Sequence, residues 1–115
     1  MIWSDMFFRL YSKDHNYYTP GTEFPPEVSE MIPHNATLAY WHYGEAPGCD
    51  QEMLEKHALL NRKTAFFGGT WTWSGHLPDT DYARTVTREA LAVCQTHGID
   101  TVVQTLWFDD GNECN

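Results

Sequence analysis

The sequence predicts an α/β fold built on a parallel sheet, and three observations carry that prediction. Four short apolar runs recur at intervals of roughly thirty residues or more, the length of a βαβ unit. Two of the three stretches between them have helical periodicity. The last run, Thr101–Trp107, is nearly continuous in apolar and small residues, as a strand covered on both faces would be.

The first run is Met1–Trp3. Tyr11–Pro33 follows as a long stretch punctuated by proline, with one short helix expected at Pro26–Met31. The second run is Ala36–Trp41, "ATLAYW". In "DQEMLEKHALLNR" the residues Met53, Leu54, His57, Ala58 and Asn61 give one helical face, and Asp50 is the expected N-cap. The third run, Thr64–Phe67, continues into Gly68-Gly69. These glycines read better as a bulge than as a close approach of backbone to a ligand. In "DTDYARTVTREALAVCQTHG", Ala83, Val86, Ala90, Leu91, Val93 and Cys94 recur at helical spacing, and Gly98 stops the helix as its C′ residue. No linker or low-complexity segment divides the 115 residues, so they make at most one modest domain.

Charge excludes some partners. Seven Lys and Arg stand against 16 Asp and Glu, a net charge of −9, and no basic run occurs. A phosphate backbone would be repelled, so no nucleic-acid partner is expected. No stretch approaches the roughly 20 apolar residues of a membrane span, so no membrane partner is expected either. Met1–Leu10 lacks the basic-then-apolar layout of a secretory signal. Cys49, Cys94 and Cys114 are odd in number, far apart and in no CxxC, which fits a reducing compartment and favours the cytoplasm.

Function gathers at one end of the predicted sheet. The strands run out into "IWSDM", "YWHYG", "GGTWTWSGH" and "LWFDDGNE", each mixing aromatics with polar groups. The helix-to-strand connections, "NRKT" and "HGID", are plain. In parallel α/β folds the working residues collect at the carboxyl ends of the strands. Indole and phenol faces beside carboxylates suit a pyranose: its C–H face packs on the ring while its hydroxyls donate to Asp or Glu oxygens. Trp107 with Asp109, and Trp3 with Asp5, have this pairing at i, i+2, on one side of a strand.

His42, His76, Asp5, Asp109 and Asp110 are the residue types of a metal site, but no HxH, HExxH or Cys/His spacing supports one. No metal or cofactor is expected. Asp110 and Glu113 read equally well as a solvated loop. No Ser-His-Asp or Cys-His arrangement and no P-loop is present.

Taken together, "IWSDMFFRL", "AYWHYG", "FFGGTWTWSGHLP" and "TLWFDDGNEC" resemble the second half of the catalytic domain of glycoside hydrolase family twenty. The likeness is strongest to the β-N-acetylhexosaminidase-like branch whose last strand reads Trp-Gly-Asp followed by Asn-Gly-Glu-Cys. It spans essentially the whole chain, and the tail and the "GGxWxWxG" segment are its specific parts. It implies that residues 1–115 are the C-terminal half, strands five to eight, of a (β/α)8 TIM barrel: a partial catalytic domain truncated at both ends. The implied activity is exo-acting removal of terminal N-acetylhexosamine by substrate-assisted hydrolysis, in which the 2-acetamido carbonyl attacks the anomeric carbon.

In that family an adjacent Asp-Glu pair after the fourth strand orients the acetamide and supplies the general acid. No Asp-Glu dipeptide occurs here, so the pair is expected upstream of residue 1 and this chain is expected to be inactive alone. By the same resemblance Trp3, Trp71 and Trp73 wall the acetamido pocket and the Tyr40 hydroxyl meets the acetamido oxygen. Trp107 is the floor under the ring, and Asp109 accepts hydroxyls at its far side. His42 stands where the family commonly has Asp, and Phe108 where it has Gly, two departures at the hydroxyl-reading rim. The expected partners are N-acetylhexosamine-terminated glycans or glycosides, and the isolated piece is expected to self-associate. The alternative from another class is a free-standing carbohydrate-binding module without catalysis.

Overall fold

The computed structural model of the protein describes residues 1–44, 48–73, 75 and 77–107. Those residues form β1 (Ile2–Trp3), α1 (Asp5–Tyr11), α2 (Glu27–Met31), β2 (Thr37–Trp41), α3 (Cys49–Leu59), β3 (Lys63–Gly69), α4 (Thr80–Thr96) and β4 (Val102–Thr105). The four strands lie in one sheet in the order β1-β2-β3-β4, and every neighbouring pair is parallel. The fold is α/β with the sequential parallel order that the βα spacing predicts.

Register and pleat decide which side chains meet. In β2 and β3, Leu38 pairs with Thr64 and Tyr40 with Phe66, and this face carries the core. Tyr40 and Phe66 pack there with Phe8 of α1, Met53 and Leu54 of α3, and Ala90 and Cys94 of α4. Leu38 joins a second cluster with Val28, Ile32, Ala36 and Leu60. Burying a large apolar side chain stabilises by about 1.5–3 kcal/mol, so these clusters hold the helices to this face.

The opposite face carries Trp3, Ala39, Trp41, Phe67 and Val103 in register across the four strands. Ala39 is small, and the Trp3 ring on β1 reaches over β2 to touch the Phe67 ring on β3, with centroids 5.0 Å apart. No helix among the described residues is placed to cover this face, and Trp3 and Val103 remain 47% and 36% exposed. Here the sequence expectation for the last strand fails. Val102 and Val103 of β4 are both exposed, because the apolar character of this strand has no covering layer within the described residues.

Three local expectations also change. Asp5–Tyr11 is a helix that the strand-and-loop reading missed, although Asp5 in its first turn and Arg9 in its last complement the helix dipole. Asp50 is not an N-cap. Gly48, at φ +80°, precedes the helix and Asp50 lies in its first turn, its carboxylate engaged with β2. Gly68-Gly69 is not a bulge either, since Gly68 pairs with Gln104 and Gly69 with Thr105 in an unbroken ladder. Gly69 is needed for another reason: a Cβ there would collide with the Trp73 indole and the Tyr43 ring. The α4 boundaries agree with expectation. Asp79 accepts from the Tyr82 N–H at 3.0 Å, and Gly98 follows at φ +66°.

Candidate functional site

β1 and the segment leaving β4 deliver Trp3 and Trp107 to the carboxyl end of the sheet, β2 adds Trp41, and the segment leaving β2 adds Tyr43. With Asp5, at the start of α1, these residues line a cavity of about 270 Å³. It is small beside the ~300–1,000 Å³ of drug-sized sites and is scaled to one compact group. Trp41 and Tyr43 leave the chain at i, i+2 and stack with centroids 5.5 Å apart. Tyr43 is the keystone. Its hydroxyl accepts the Trp107 indole N–H at 2.9 Å, and its carbonyl accepts the Trp71 indole N–H at 2.9 Å.

Beside the cavity the loop after β3 adds a second aromatic tier. The Trp71 and Trp73 rings lie 5.2 Å apart, Trp73 packs 4.8 Å from Tyr43, and Trp71 meets Tyr82 edge-on at 4.6 Å. Trp71 has φ +57°, a conformation that disfavours a bulky residue by about 1–3 kcal/mol. The bond to Tyr43 and the Tyr82 contact hold it there, and strain of this kind concentrates at functional sites. Thr72 ties this loop to β4, its hydroxyl donating to the Trp107 carbonyl at 2.8 Å.

The polar member of the cavity is Asp5. Its Oδ1 is buried and has no hydrogen-bond partner among the described residues. An unsatisfied buried acceptor costs about 1–3 kcal/mol, so this oxygen is a local cost within the described residues.

Two residues assigned to the sugar by resemblance lie elsewhere. Tyr40 is fully buried on the helix face, and its phenol donates to Asp50 Oδ1 at 2.7 Å. Burial, reinforced by the Asp50 charge, drives its pKa far above that of an ordinary phenol. His42 turns the same way, its Nδ1 2.9 Å from the same Asp50 oxygen. The pleat explains both placements: Tyr40 and His42 share a side of β2 and its continuation, while Trp41 and Tyr43 share the other. The cavity therefore takes the neighbours of the expected residues. Trp3 and Trp107 line it, and Trp71 and Trp73 stand in the tier beside Tyr43. Asp109, with Phe108, Asp110 and Glu113, lies outside the described residues, as does His76.

A buried polar network braces the site from below. Ser4 Oγ lies 2.9 Å from the Ala39 carbonyl, 2.8 Å from His57 Nε2 and 3.1 Å from the Tyr18 hydroxyl. His57 Nδ1 donates to the Met53 carbonyl at 2.6 Å, so Nε2 is the accepting nitrogen. Burial pushes the imidazole pKa down to about 4, opposed by the bond to Met53. The network pins the β1–α1 junction, and with it Trp3 and Asp5, to β2 and α3. It is closed to solvent, so this Ser-His contact is structural.

Among the described residues no three His, Cys, Asp or Glu side chains are grouped to hold a metal ion. No helix among them is long and apolar enough to cross a membrane. No protein-family model matches the sequence, and no curated protein matches it.

Proposed function

We propose that the aromatic carboxyl end of this sheet binds a terminal hexosamine, as the sugar-binding half of a β-N-acetylhexosaminidase-like (β/α)8 barrel. The observation that carries the reading is the cavity lined by Trp3, Asp5, Trp41, Tyr43 and Trp107. Aromatic faces take the C–H face of a pyranose, and a carboxylate takes its polar hydrogens. The half-barrel part rests on the sheet. Its four strands are parallel and sequential, and its inner face presents Trp3, Phe67 and Val103, which a further set of strands would cover.

The chain supplies binding walls without the acid. It has no Asp-Glu dipeptide, and among the described residues Asp5 is the carboxylate that lines the cavity. Loss of a general acid removes about 10²–10⁴-fold in rate, so these residues alone bind sugar without cleaving it. The test is a tryptophan-fluorescence titration with β-linked hexosamine disaccharides, alongside a chromogenic N-acetylglucosaminide assay. The expected result is saturable binding that weakens at least roughly tenfold in Trp107→Ala, with no turnover. Turnover would relocate the catalytic groups into this chain, and absence of binding would remove the saccharide reading.

A further inference from the structure

We propose that Ser4, Tyr18 and His57 are positioning residues of the site: one buried hydrogen-bond chain through their side chains sets the placement of the Trp3 and Trp41 walls. For its ligand this rests on the saccharide reading above, which it deepens.

β1 is only two residues long. It pairs Ile2 with Leu38 and Trp3 with Ala39, and the Ser4 N–H makes the last rung, to the Ala39 carbonyl at 3.0 Å. The chain then turns into α1, so the Trp41 N–H, further along β2, has no strand beside it. The Tyr18 hydroxyl takes that place, accepting the Trp41 N–H at 3.4 Å. Its ring also meets the Trp41 ring edge-on, with centroids 5.3 Å apart. Tyr18 does this at φ +47°, a left-handed conformation that bulky residues rarely adopt and that clusters at functional sites.

Each proton in the chain has one direction. Burial holds His57 neutral near neutral pH, and its Nδ1–H goes to the Met53 carbonyl at 2.6 Å. Nε2 is therefore bare, and its partner among the described residues is Ser4 Oγ, at 2.8 Å. Ser4 donates to it. The Ala39 carbonyl, 2.9 Å from Ser4 Oγ, already has the Ser4 N–H. Tyr18 must then donate to Ser4, at 3.1 Å, and burial raises its phenol above the ordinary pKa, so that proton stays in place. The order is Trp41 N–H to Tyr18, Tyr18 O–H to Ser4, Ser4 O–H to His57, His57 N–H to Met53. All three side chains are buried, and none of them is among the cavity's lining residues. One end of the chain holds the Trp41 backbone and its centre adjoins Trp3, so walls on two strands share one brace.

The experiment records ¹H–¹⁵N indole spectra without ligand, and N-acetylglucosamine affinity by fluorescence, for the 115-residue chain, Ser4→Ala, Tyr18→Phe and Tyr40→Phe. Circular dichroism selects folded protein, and Tyr18→Phe, which keeps its ring, carries the test if Ser4→Ala does not fold. The Trp3 indole is expected to move in Tyr18→Phe and the Trp41 indole in Ser4→Ala, each at the far side of the chain from the deletion. Affinity is expected to fall about tenfold in both. Tyr40→Phe, which deletes a buried hydroxyl outside the chain, is expected to keep the wild-type affinity.

Wild-type affinity in the folded Ser4 and Tyr18 variants would overturn the proposal and leave the saccharide site standing. So would indoles that stay fixed at the far side of the chain. If the wild-type chain binds no N-acetylglucosamine, the saccharide reading falls, and the indole shifts alone decide: their presence keeps the brace, their absence removes it.

Discussion

The Trp107 indole N–H donates to the Tyr43 hydroxyl at 2.9 Å across 64 positions of sequence. This bond joins the end of β4 to the segment leaving β2, and it fixes the Trp107 ring as one wall of the cavity. Tyr43→Phe removes the acceptor and leaves the phenyl face. The expected cost in stability is about 0.5–1 kcal/mol, at the low end because Trp107 is partly exposed, with a clear loss of hexosamine affinity. Denaturant melts and a fluorescence titration on the same sample check both. Unchanged affinity would mean that the bond does not position Trp107 for a ligand.

Tyr40→Phe separates the two faces of the sheet. Tyr40 donates to Asp50 from a fully buried position, so deleting its hydroxyl is expected to cost about 1.5–3 kcal/mol. Sugar affinity of the folded protein is expected to stay at the wild-type value. If the mutant keeps its melting temperature and loses affinity, Tyr40 reaches the ligand and the assignment of faces is wrong.

The fold was more legible in the sequence than the site, for physical reasons. Strand and helix periods separate α from β. The Asp79 cap and Gly98 mark the ends of α4, and parallel order follows from crossover length. What the sequence left open was the phase of β2. In "AYWHYG" aromatic and polar groups occupy both alternations, so no apolar-in, polar-out pattern says whether Tyr40 or Trp41 faces the helices. Only packing against Phe8, Met53 and Cys94 decides it. Asp5 was visible as a partner of Trp3, but its orphaned oxygen is a property of three dimensions. The helix α1 was hidden because "DMFFRLY" follows a strand directly and is dense in the aromatics that mark strand ends.

His57 should make stability fall on acidification. In the unfolded chain the imidazole takes a proton near its ordinary 6.5, whereas in the folded protein burial holds it off until about 4. Between those values the unfolded state binds more protons, so stability rises with pH. The contribution, up to about 3 kcal/mol, is fully present above pH 6.5 and is lost as pH falls towards 4. Melting temperatures across this range should show the slope in wild type and a flatter one in His57→Gln. Equal slopes would mean that other groups set the acid limb.

The bare sheet face predicts association. Trp3, Val103 and Trp107 are all exposed large apolar residues on this side. Exposed apolar patches are interaction sites, and among the described residues no strand pairs with the outer edge of β4. Light scattering of the 115-residue chain is expected to give dimers or larger species that rise with concentration, and Val103→Lys should shift them towards monomer. A monodisperse monomer at high concentration would contradict the half-barrel proposal.

A hexosamine in the cavity of Trp3, Trp41, Tyr43 and Trp107 would be reported directly by the five indole N–H resonances of the chain. In a ¹H–¹⁵N NMR titration with N-acetylglucosamine, the Trp3, Trp41 and Trp107 indoles are expected to shift saturably with one common dissociation constant. Trp71, bonded to the Tyr43 carbonyl outside the cavity, should move least. Indole resonances that stay fixed at saturating sugar, or shifts confined to Trp71 and Trp73, would contradict it.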